Sequence, residues 1–571
     1  MNWKLRKKSQ ALLEKERGMP FKDPAGASLT VALAYPNTYY VGMSNLGFQT
    51  IYKHLNLRPD TRCERVFLPD PEDEKTYRSQ NLPLVTLESQ RLVTDVDILA
   101  FSVSFENDYV NLLKILELAR IPFKSADRDE RYPLVLIGGA ITYINPEPLV
   151  DFADLMIIGD GEEVLNEYLS LFLEDREVPR KKHLERAGQI QGVYVPSLIP
   201  FWRGSGRAKE GPAEVPSTPS PGMIEKQRVS DFKLYPAYSA IVTPETEFSN
   251  MFLIEVSRGC PLMCRFCAVS YVYPKFRMLP PDFVLEIVRE RLQMDAARGF
   301  PPIQKVGLVS SDICDYRGLD VLCDGLKGLG VKISVSSFRI DRLPEVLLDA
   351  IAYSGVQTLA IAPEAGSERL RKVIRKEMTD DEVVEGAVRI LERGVPHLKL
   401  YFMIGLPTET DEDLDNLIQV TLKIRQKMIE RARATGRLGK LSLSINPFIP
   451  KPLTPFQWSP MVSLKEAKRK LNYLRKGFRR VRNVELKPES LRTAYLEGIL
   501  SRGDRSMGEF LTAIHACQGN WERAAREVGL DIEACLAGKS NLSTPLPWEF
   551  ISNQREQERL TREYQRSQAV S

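Results

Sequence analysis

"SRGCPLMCRFCAVSYVYPKFR" runs from Ser257 to Arg277 and holds three of the chain's eight cysteines, Cys260, Cys264 and Cys267. Random placement of 8 cysteines over 571 positions gives this pair of spacings with a probability of about 0.002. The preceding "FLIEVS" (252–257) reads as a short buried strand, so the cysteines stand on the loop that leaves it. Further apolar runs follow: "KVGLVS" (305–310), "KISVSS" (332–337), "TLAIAP" (358–363), "KLYFMI" (399–404) and "LSLSIN" (441–446). Segments of helical period such as "PDFVLEIVRERLQM" and "DEVVEGAVRILERG" separate them. Repeated βα units over 246–460 predict a partial or full parallel barrel, whose site residues belong at strand C-terminal ends.

Upstream, residues 28–200 carry "LTVALAY", "VDILAFSVS", "YPLVLIGG" and "ADLMIIGDG", near-continuous hydrophobic runs of the kind buried on both faces of a parallel sheet. The fold class is therefore α/β, with a doubly wound, Rossmann-like N-terminal domain before the barrel. Residues 1–27 read as a helical extension and 201–245 as a linker, its centre (203–222) rich in Gly, Pro and Ser. Residues 461–551 read as a helical C-terminal region. "SLKE" has the form of a capping box, and Leu464, Ala467, Leu471, Leu474 and Phe478 make one apolar stripe. The opposite face carries Lys465, Lys468, Arg469, Lys470, Arg475, Lys476, Arg479, Arg480 and Arg482. The charged tail, 552–571, is expected to fray.

A net charge of +4 over 571 residues implies no particular partner. No apolar run approaches the roughly 18 residues of a membrane span, and no h-region follows the basic start. The expected compartment is the cytoplasm, where cysteines serve as thiols, metal ligands or redox groups rather than a disulfide framework.

Four thiolates close a structural zinc or iron–sulfur site; three leave one iron of a cluster open. A zinc site completed by a remote Cys or His is the other reading of the same loop. "CPLMCRFC" after the first barrel strand, with Phe266 before the third cysteine, resembles the radical S-adenosylmethionine (SAM) superfamily. The resemblance implies a [4Fe-4S] cluster on Cys260, Cys264 and Cys267, whose open iron binds SAM. It also implies reductive cleavage of SAM to a 5′-deoxyadenosyl radical. The implied SAM-binding positions are Ser310, Ser311 and Asp312 for the amino group, in place of the usual Gly-Gly-Glu, and Arg339 for the carboxylate. Glu364 falls at the ribose position, and Ile404, Gly405 and Pro407 at the adenine segment. Cys314 stands at the same mouth as a candidate catalytic thiol. Cys63, Cys323, Cys517 and Cys535 read as structural, and the four histidines fall outside any ligand spacing.

The N-terminal domain resembles the cobalamin-binding domains fused to some radical SAM proteins. Asn37, Tyr39 and Gly42 keep the spacing of their Asp-x-His-x-x-Gly, with Asn for Asp and Tyr for His. Ser102 with Ser104, and Gly138 with Gly139, fall at the other two positions. The implied outcomes are cobalamin without a protein ligand below cobalt, another flat or nucleotide-like ligand, or a domain kept for packing. "NPFIPKPLTPFQW" (446–458), "SRGDRSMGE" (501–509) and "LPWEFI" (546–551) resemble signatures of a fused subgroup without a settled substrate. The first also resembles a segment of methylthiotransferases, which would place Lys451, Phe456 and Trp458 at a substrate entrance. The functional expectation is a radical SAM enzyme, with methyl or methylthio transfer as branches. It would use an electron donor such as flavodoxin or ferredoxin and a small-molecule or RNA substrate. The alternatives are an iron–sulfur redox sensor or scaffold without turnover, and a zinc-stabilised binding module.

Overall fold

The computed structural model describes residues 2–18, 26–199, 223–335 and 338–570. The Gly/Pro/Ser-rich segment 203–222 lies outside the described residues, as do Ser336 and Ser337 at the end of the expected third barrel strand. The chain divides into two compact units: 1–250 with 499–535 and 541–557, and 251–498 with 536–540 and 558–571.

The first unit is built on a sheet of β1 (Leu29–Tyr35), β2 (Thr61–Phe67), β3 (Ile98–Ser102), β4 (Leu134–Gly138), β5 (Leu155–Ile157) and β6 (Val193–Tyr194). Its order is β2-β1-β3-β4-β5-β6, all parallel except β6, which runs against β5. β3 is buried along its whole length because helices cover both faces, which is why its sequence shows no alternation. The order reverses between β1 and β3, the switch point where doubly wound sheets bind ligands. The 1–27 extension contains the helix Trp3–Glu14 and then the short strand Arg17–Gly18, which pairs with Ile241–Val242 from the segment read as linker. "SRGDRSMGE" is a packing element of this unit: Asn145 Nδ2 donates to the Ser501 and Gly503 carbonyls, and Arg505 donates to the Tyr194 hydroxyl.

The second unit is a partial barrel. Its strands are β7 (Phe252–Glu255), β8 (Lys305–Val309), β9 (Lys332–Val335), β10 (Thr358–Glu364), β11 (His397–Ile404), β12 (Leu441–Pro447) and β13 (Val484–Pro488). They pair in parallel as β7-β8-β9 and β10-β11-β12-β13. β11 and β12 alternate buried and half-buried residues. β13 is a seventh strand inside the stretch read as helical; "VELKP" is too short and polar to announce itself. The expected capped helix is present as Leu464–Phe478, its Ser463 hydroxyl accepting from Glu466 N. Lys470 does not belong to its exposed basic face, being 4% exposed and paired with Glu409 at 2.6 Å. The tail is not frayed: Gln554–Gln568 is a helix with Leu560, Glu563 and Ser567 buried.

Candidate functional site

The cysteine loop leaves β7 by the two-residue strand Ser257–Arg258, which pairs with Arg277–Met278 and so closes "GCPLMCRFC…YPKF" into a hairpin-like excursion. At its tip Met263 takes a left-handed backbone, φ 60°, between Cys260 and Cys264. The Met263 N–H donates to the Ser270 hydroxyl and its carbonyl accepts from Tyr271 at 3.0 Å, which fixes that bend. Arg265 anchors the other side: its N–H donates to the Ile374 carbonyl and its guanidinium to those of Lys372 and Val373. Phe266 packs against a core cluster that includes Ala365, Leu406 and Phe456.

All eight cysteines are free thiols. Burial raises the Cys260 and Cys267 thiols above their ordinary value and pushes Cys264 up to about 12, with Lys376 opposing. Each of Cys264 and Cys267 feels the charge of its loop neighbours, so the three sulfurs form one electrostatic group. A metal centre would have to displace their protons on binding. Among the described residues no three His, Cys, Asp or Glu side chains converge to hold a single ion. A cube binds each thiolate through a different iron, so its ligands need not meet at one point.

Beside the loop opens a cavity of about 740 Å³, lined by Pro261, Leu262, Phe276, Met278, Asp315, Arg317, Arg339, Arg342, Arg375 and Glu377. That volume lies within the usual range of small-molecule sites. After β8, Asp312 caps a short turn, Oδ1 accepting from Cys314 N at 3.1 Å. Its Oδ2 is buried with no hydrogen-bond partner among the described residues, and burial raises its carboxyl above the ordinary value. Asp312 is 1% exposed, and a buried carboxylate oxygen of this kind suits an ammonium or similar donor. Ser310 shares a 2.6 Å hydroxyl contact with Ser257, and Ser311 is exposed. Arg339, 7% exposed, is bidentate to Asp341 and donates to the Glu377 carbonyl. Cys314 points its thiol at the Arg339 carbonyl, 3.7 Å away, and burial raises it to about 12.

Glu364 ends β10 with φ 68°, a left-handed conformation uncommon for Glu, after a break in the β10–β11 register. Its carboxylate pairs with Lys376 at 3.0 Å. Ile404 is fully buried at the end of β11. Gly405 follows at φ 79°, where a Cβ would lie 2.4 Å from Val462. The Gly405 N–H donates to both oxygens of Glu409, which Lys470 holds. Sequence reasoning missed this Glu409–Lys470 brace; the buried lysine sat in a run of exposed cations and gave no separate signal. Phe456 and Trp458 are in the core, at 0% and 2% exposure, rather than at an entrance, and Lys451 pairs with Glu497.

In the first unit the positions read from the cobalamin-like spacing turn inward. Asn37 Nδ2 donates to Asp108 at 2.8 Å. The Tyr39 hydroxyl donates to Glu16 at 2.6 Å, and Glu16 is bidentate to the buried Arg65, which also pairs with Glu88. Tyr39 is thus 9% exposed and committed to an ion network, which does not fit a ligand for cobalt from below. Gly42 is required by packing: a Cβ there would lie 2.5 Å from the Phe67 ring. Ser102 is buried opposite Gly138 in the β3–β4 ladder. Gly139 abuts the Val103 carbonyl, whereas a Cβ on Gly138 would meet open space. Around this rim Tyr40, Val41 and Phe105 are exposed, at 46%, 36% and 59%.

The model of the radical SAM superfamily matches residues 254–420, and that of the N-terminal region of radical SAM proteins matches 47–196. An uncharacterized protein of Methanocaldococcus jannaschii is 28% identical over 485 residues, 84% of this chain and 90% of that one. The cytidylyl-2-hydroxyethylphosphonate methyltransferase of Streptomyces wedmorensis is 25% identical over 54% of this chain and 58% of its own length. The ribosomal protein uS12 methylthiotransferase RimO of Thermodesulfovibrio yellowstonii is 23% identical over 40% of this chain and 56% of its own. The chain thus spans just over half the length of those two enzymes. Among solved structures, the radical SAM methyltransferase TsrM of Kitasatospora setae superposes with a TM-score of 0.51 at 12% identity, covering 88% of this chain and all of that one. That likeness is one of fold.

Proposed function

We propose that this chain, which carries the two domains of radical SAM proteins, is an enzyme that cleaves SAM reductively at Cys260, Cys264 and Cys267 and passes the radical to an anionic small molecule. The radical SAM family implies a [4Fe-4S] cluster and SAM, and its members require a reductant and a substrate. The observation that carries the reading is the set of three unbridged thiols on a loop whose Pro261 and Leu262 line an arginine-rich cavity. When bound, the cluster supplies one electron to SAM and releases methionine and a 5′-deoxyadenosyl radical.

The chain's own residues would position that chemistry. The cysteine loop, braced at Met263 and Arg265, presents the three thiolates; Asp312 Oδ2 accepts from the SAM ammonium. Arg339, on the cavity wall, would have to turn part of its guanidinium from Asp341 to pair with the methionine carboxylate. Glu364 takes the ribose hydroxyls, and Ile404 with Gly405 forms the edge on which adenine rests. Phe266 closes the loop onto the apolar core and excludes water. Cys314, a protonated thiol near Asp312, would donate a hydrogen atom.

Methyl transfer is the branch we favour, since the Streptomyces wedmorensis relative is by name a methyltransferase of a phosphonate. The arginines of the cavity suit such an anion. An RNA substrate is less well supported, because the basic helix spends Lys470 on Glu409 and Arg469 on Asp411 and Glu466. The electron donor would be a flavodoxin or ferredoxin. The sensor or scaffold reading differs in one measurable respect: it holds a cluster without turnover.

The test is anaerobic reconstitution with iron and sulfide, followed by SAM and dithionite. Formation of 5′-deoxyadenosine supports the reading; a stable cluster without it replaces the enzyme by the sensor. Hydroxocobalamin in the same assay tests a second reading: the open Gly138 and exposed Val41 and Phe105 at the switch point leave room for a flat ligand. Uptake that Tyr39→Phe leaves unchanged would support cobalamin held without a protein ligand to cobalt.

A further inference from the structure

The C-terminal helix, Gln554–Gln568, ends in residues that lie on the cysteine loop itself. Glu563, 6% exposed, is buried at the point where the loop meets the chain after β10. Its Oε2 sits 3.2 Å from Arg265 Nε and 3.3 Å from Arg375 Nη1, while Oε1 takes Arg566 at 2.8 Å. Arg265 is the residue between Cys264 and Phe266, and its other donors hold the Lys372 and Val373 carbonyls. Four residues earlier on the helix, Arg559 donates to the Met263 sulfur at 2.7 Å and lies 5.2 Å over the Tyr271 ring. On the next turn Tyr564 tilts against Trp458 at 5.6 Å and, with Val570, covers the core cluster on which Phe266 rests.

The helix thus reaches Met263, Arg265 and the bed of Phe266, the residues that flank Cys264 and precede Cys267. None of these contacts touches a cysteine, so the helix ligates nothing. Glu563 is acceptor to three guanidiniums, and without it the buried Arg265, 7% exposed, would lose its carboxylate partner.

We infer that the C-terminal helix is a latch for the cysteine loop, with Glu563 as a positioning residue that orients Arg265 and holds Cys264 and Cys267 at cluster spacing before metal arrives. This role rests on the cluster reading of the three cysteines and adds to it a segment outside both matched domains. Removing the Glu563 charge should loosen the loop while leaving the barrel folded. A purely structural helix would instead affect every thiol of the unit alike.

The experiment compares wild type with Glu563→Gln, first metal-free and then reconstituted. In the metal-free protein, iodoacetamide alkylation of Cys264 and Cys267 should quicken about tenfold relative to Cys314 and Cys323, with circular dichroism unchanged. After reconstitution the variant should hold less iron and show a broadened spin-resonance signal from the reduced cluster. Arg559→Gln, which loses only the Met263 and Tyr271 contacts, should shift the same ratio about threefold and carries the test if Glu563→Gln does not fold. Wild-type protein that takes up no iron overturns the cluster reading and this role with it. Wild-type protein that takes up iron, with both variants matching it in alkylation ratio and iron content, overturns the latch alone.

Discussion

The loop after β1 and the loop after β7 occupy equivalent places, each at the C-terminal end of the first strand of a parallel sheet. They spend their polar groups in opposite ways. After β1, Asn37 is taken by Asp108, Tyr39 by Glu16 and Gly42 by the Phe67 ring. After β7, three thiols stand unbridged in one electrostatic group, and on the turn after β8 Asp312 keeps a buried oxygen without a partner among the described residues. The first arrangement is chemically complete as it stands. The second leaves one buried carboxylate oxygen unsatisfied among the described residues, against the ordinary rule for buried polar groups. A spacing that resembles a binding motif therefore says less than whether its side chains are already spoken for.

Mutations that break this contrast should do so with graded effects. The largest belongs to Cys264→Ala: reconstituted iron should drop from about four per chain to background, with no 5′-deoxyadenosine from SAM. Full cleavage by that variant would remove the distinction between the two loops.

Next comes Arg65→Met in the first unit, which removes the guanidinium that Glu16 and Glu88 share and leaves both carboxylates without that counter-charge. It should cost about 3–5 kcal/mol, seen as a lost early transition in thermal melting. Iron uptake by the second unit should survive, which shows that the two sites are independent.

A smaller effect is expected for Glu364→Gln, which keeps the shape of the side chain and removes the charge paired with Lys376. SAM affinity, read by equilibrium dialysis on reconstituted protein, should weaken about tenfold. Unchanged affinity would detach Glu364 from the ribose.

The smallest sharpens the closed side. Burial raises the Asp108 carboxyl from 3.8 to about 6, so the folded unit binds a proton more tightly than the unfolded chain. Stability is then highest below pH 4 with respect to this group and declines as pH rises from about 4 to 6. Asp108→Asn should flatten that decline and gain about 1 kcal/mol at pH 7, measured as the pH dependence of the first unit's melting temperature. An identical slope in the variant would show that Asp108 is not the buried acid it resembles.

Both α/β units were legible because parallel strands covered on two faces need unbroken apolar runs, as in β3 and β4. The cysteine loop was legible because three of only eight cysteines fall within eight residues, a local spacing that needs no tertiary contact to be seen. The tail was not: "QREQERLTREYQRSQ" is polar throughout, and its few buried side chains, Leu560, Glu563 and Ser567, include a carboxylate and a hydroxyl. Lys470 escaped for the same reason, since a buried cation looks like an exposed one until its carboxylate is found. Trp458 and Phe456 failed in the other direction, as large aromatics that the core claims before any entrance can.

The sequence by itself determined the layered α/β architecture, the place of the cysteines on the first barrel loop and the strand-end positions around them. These follow from periodicity and local spacing, which are properties of neighbouring residues. Only the tertiary structure decided that Tyr39 faces Glu16, that Asp312 keeps an open oxygen, and that the far end of the chain returns to brace Arg265. Each of those is a pairing of charges or hydrogen bonds between distant residues. Which partner a polar group finds depends on how the chain closes and not on what stands beside it.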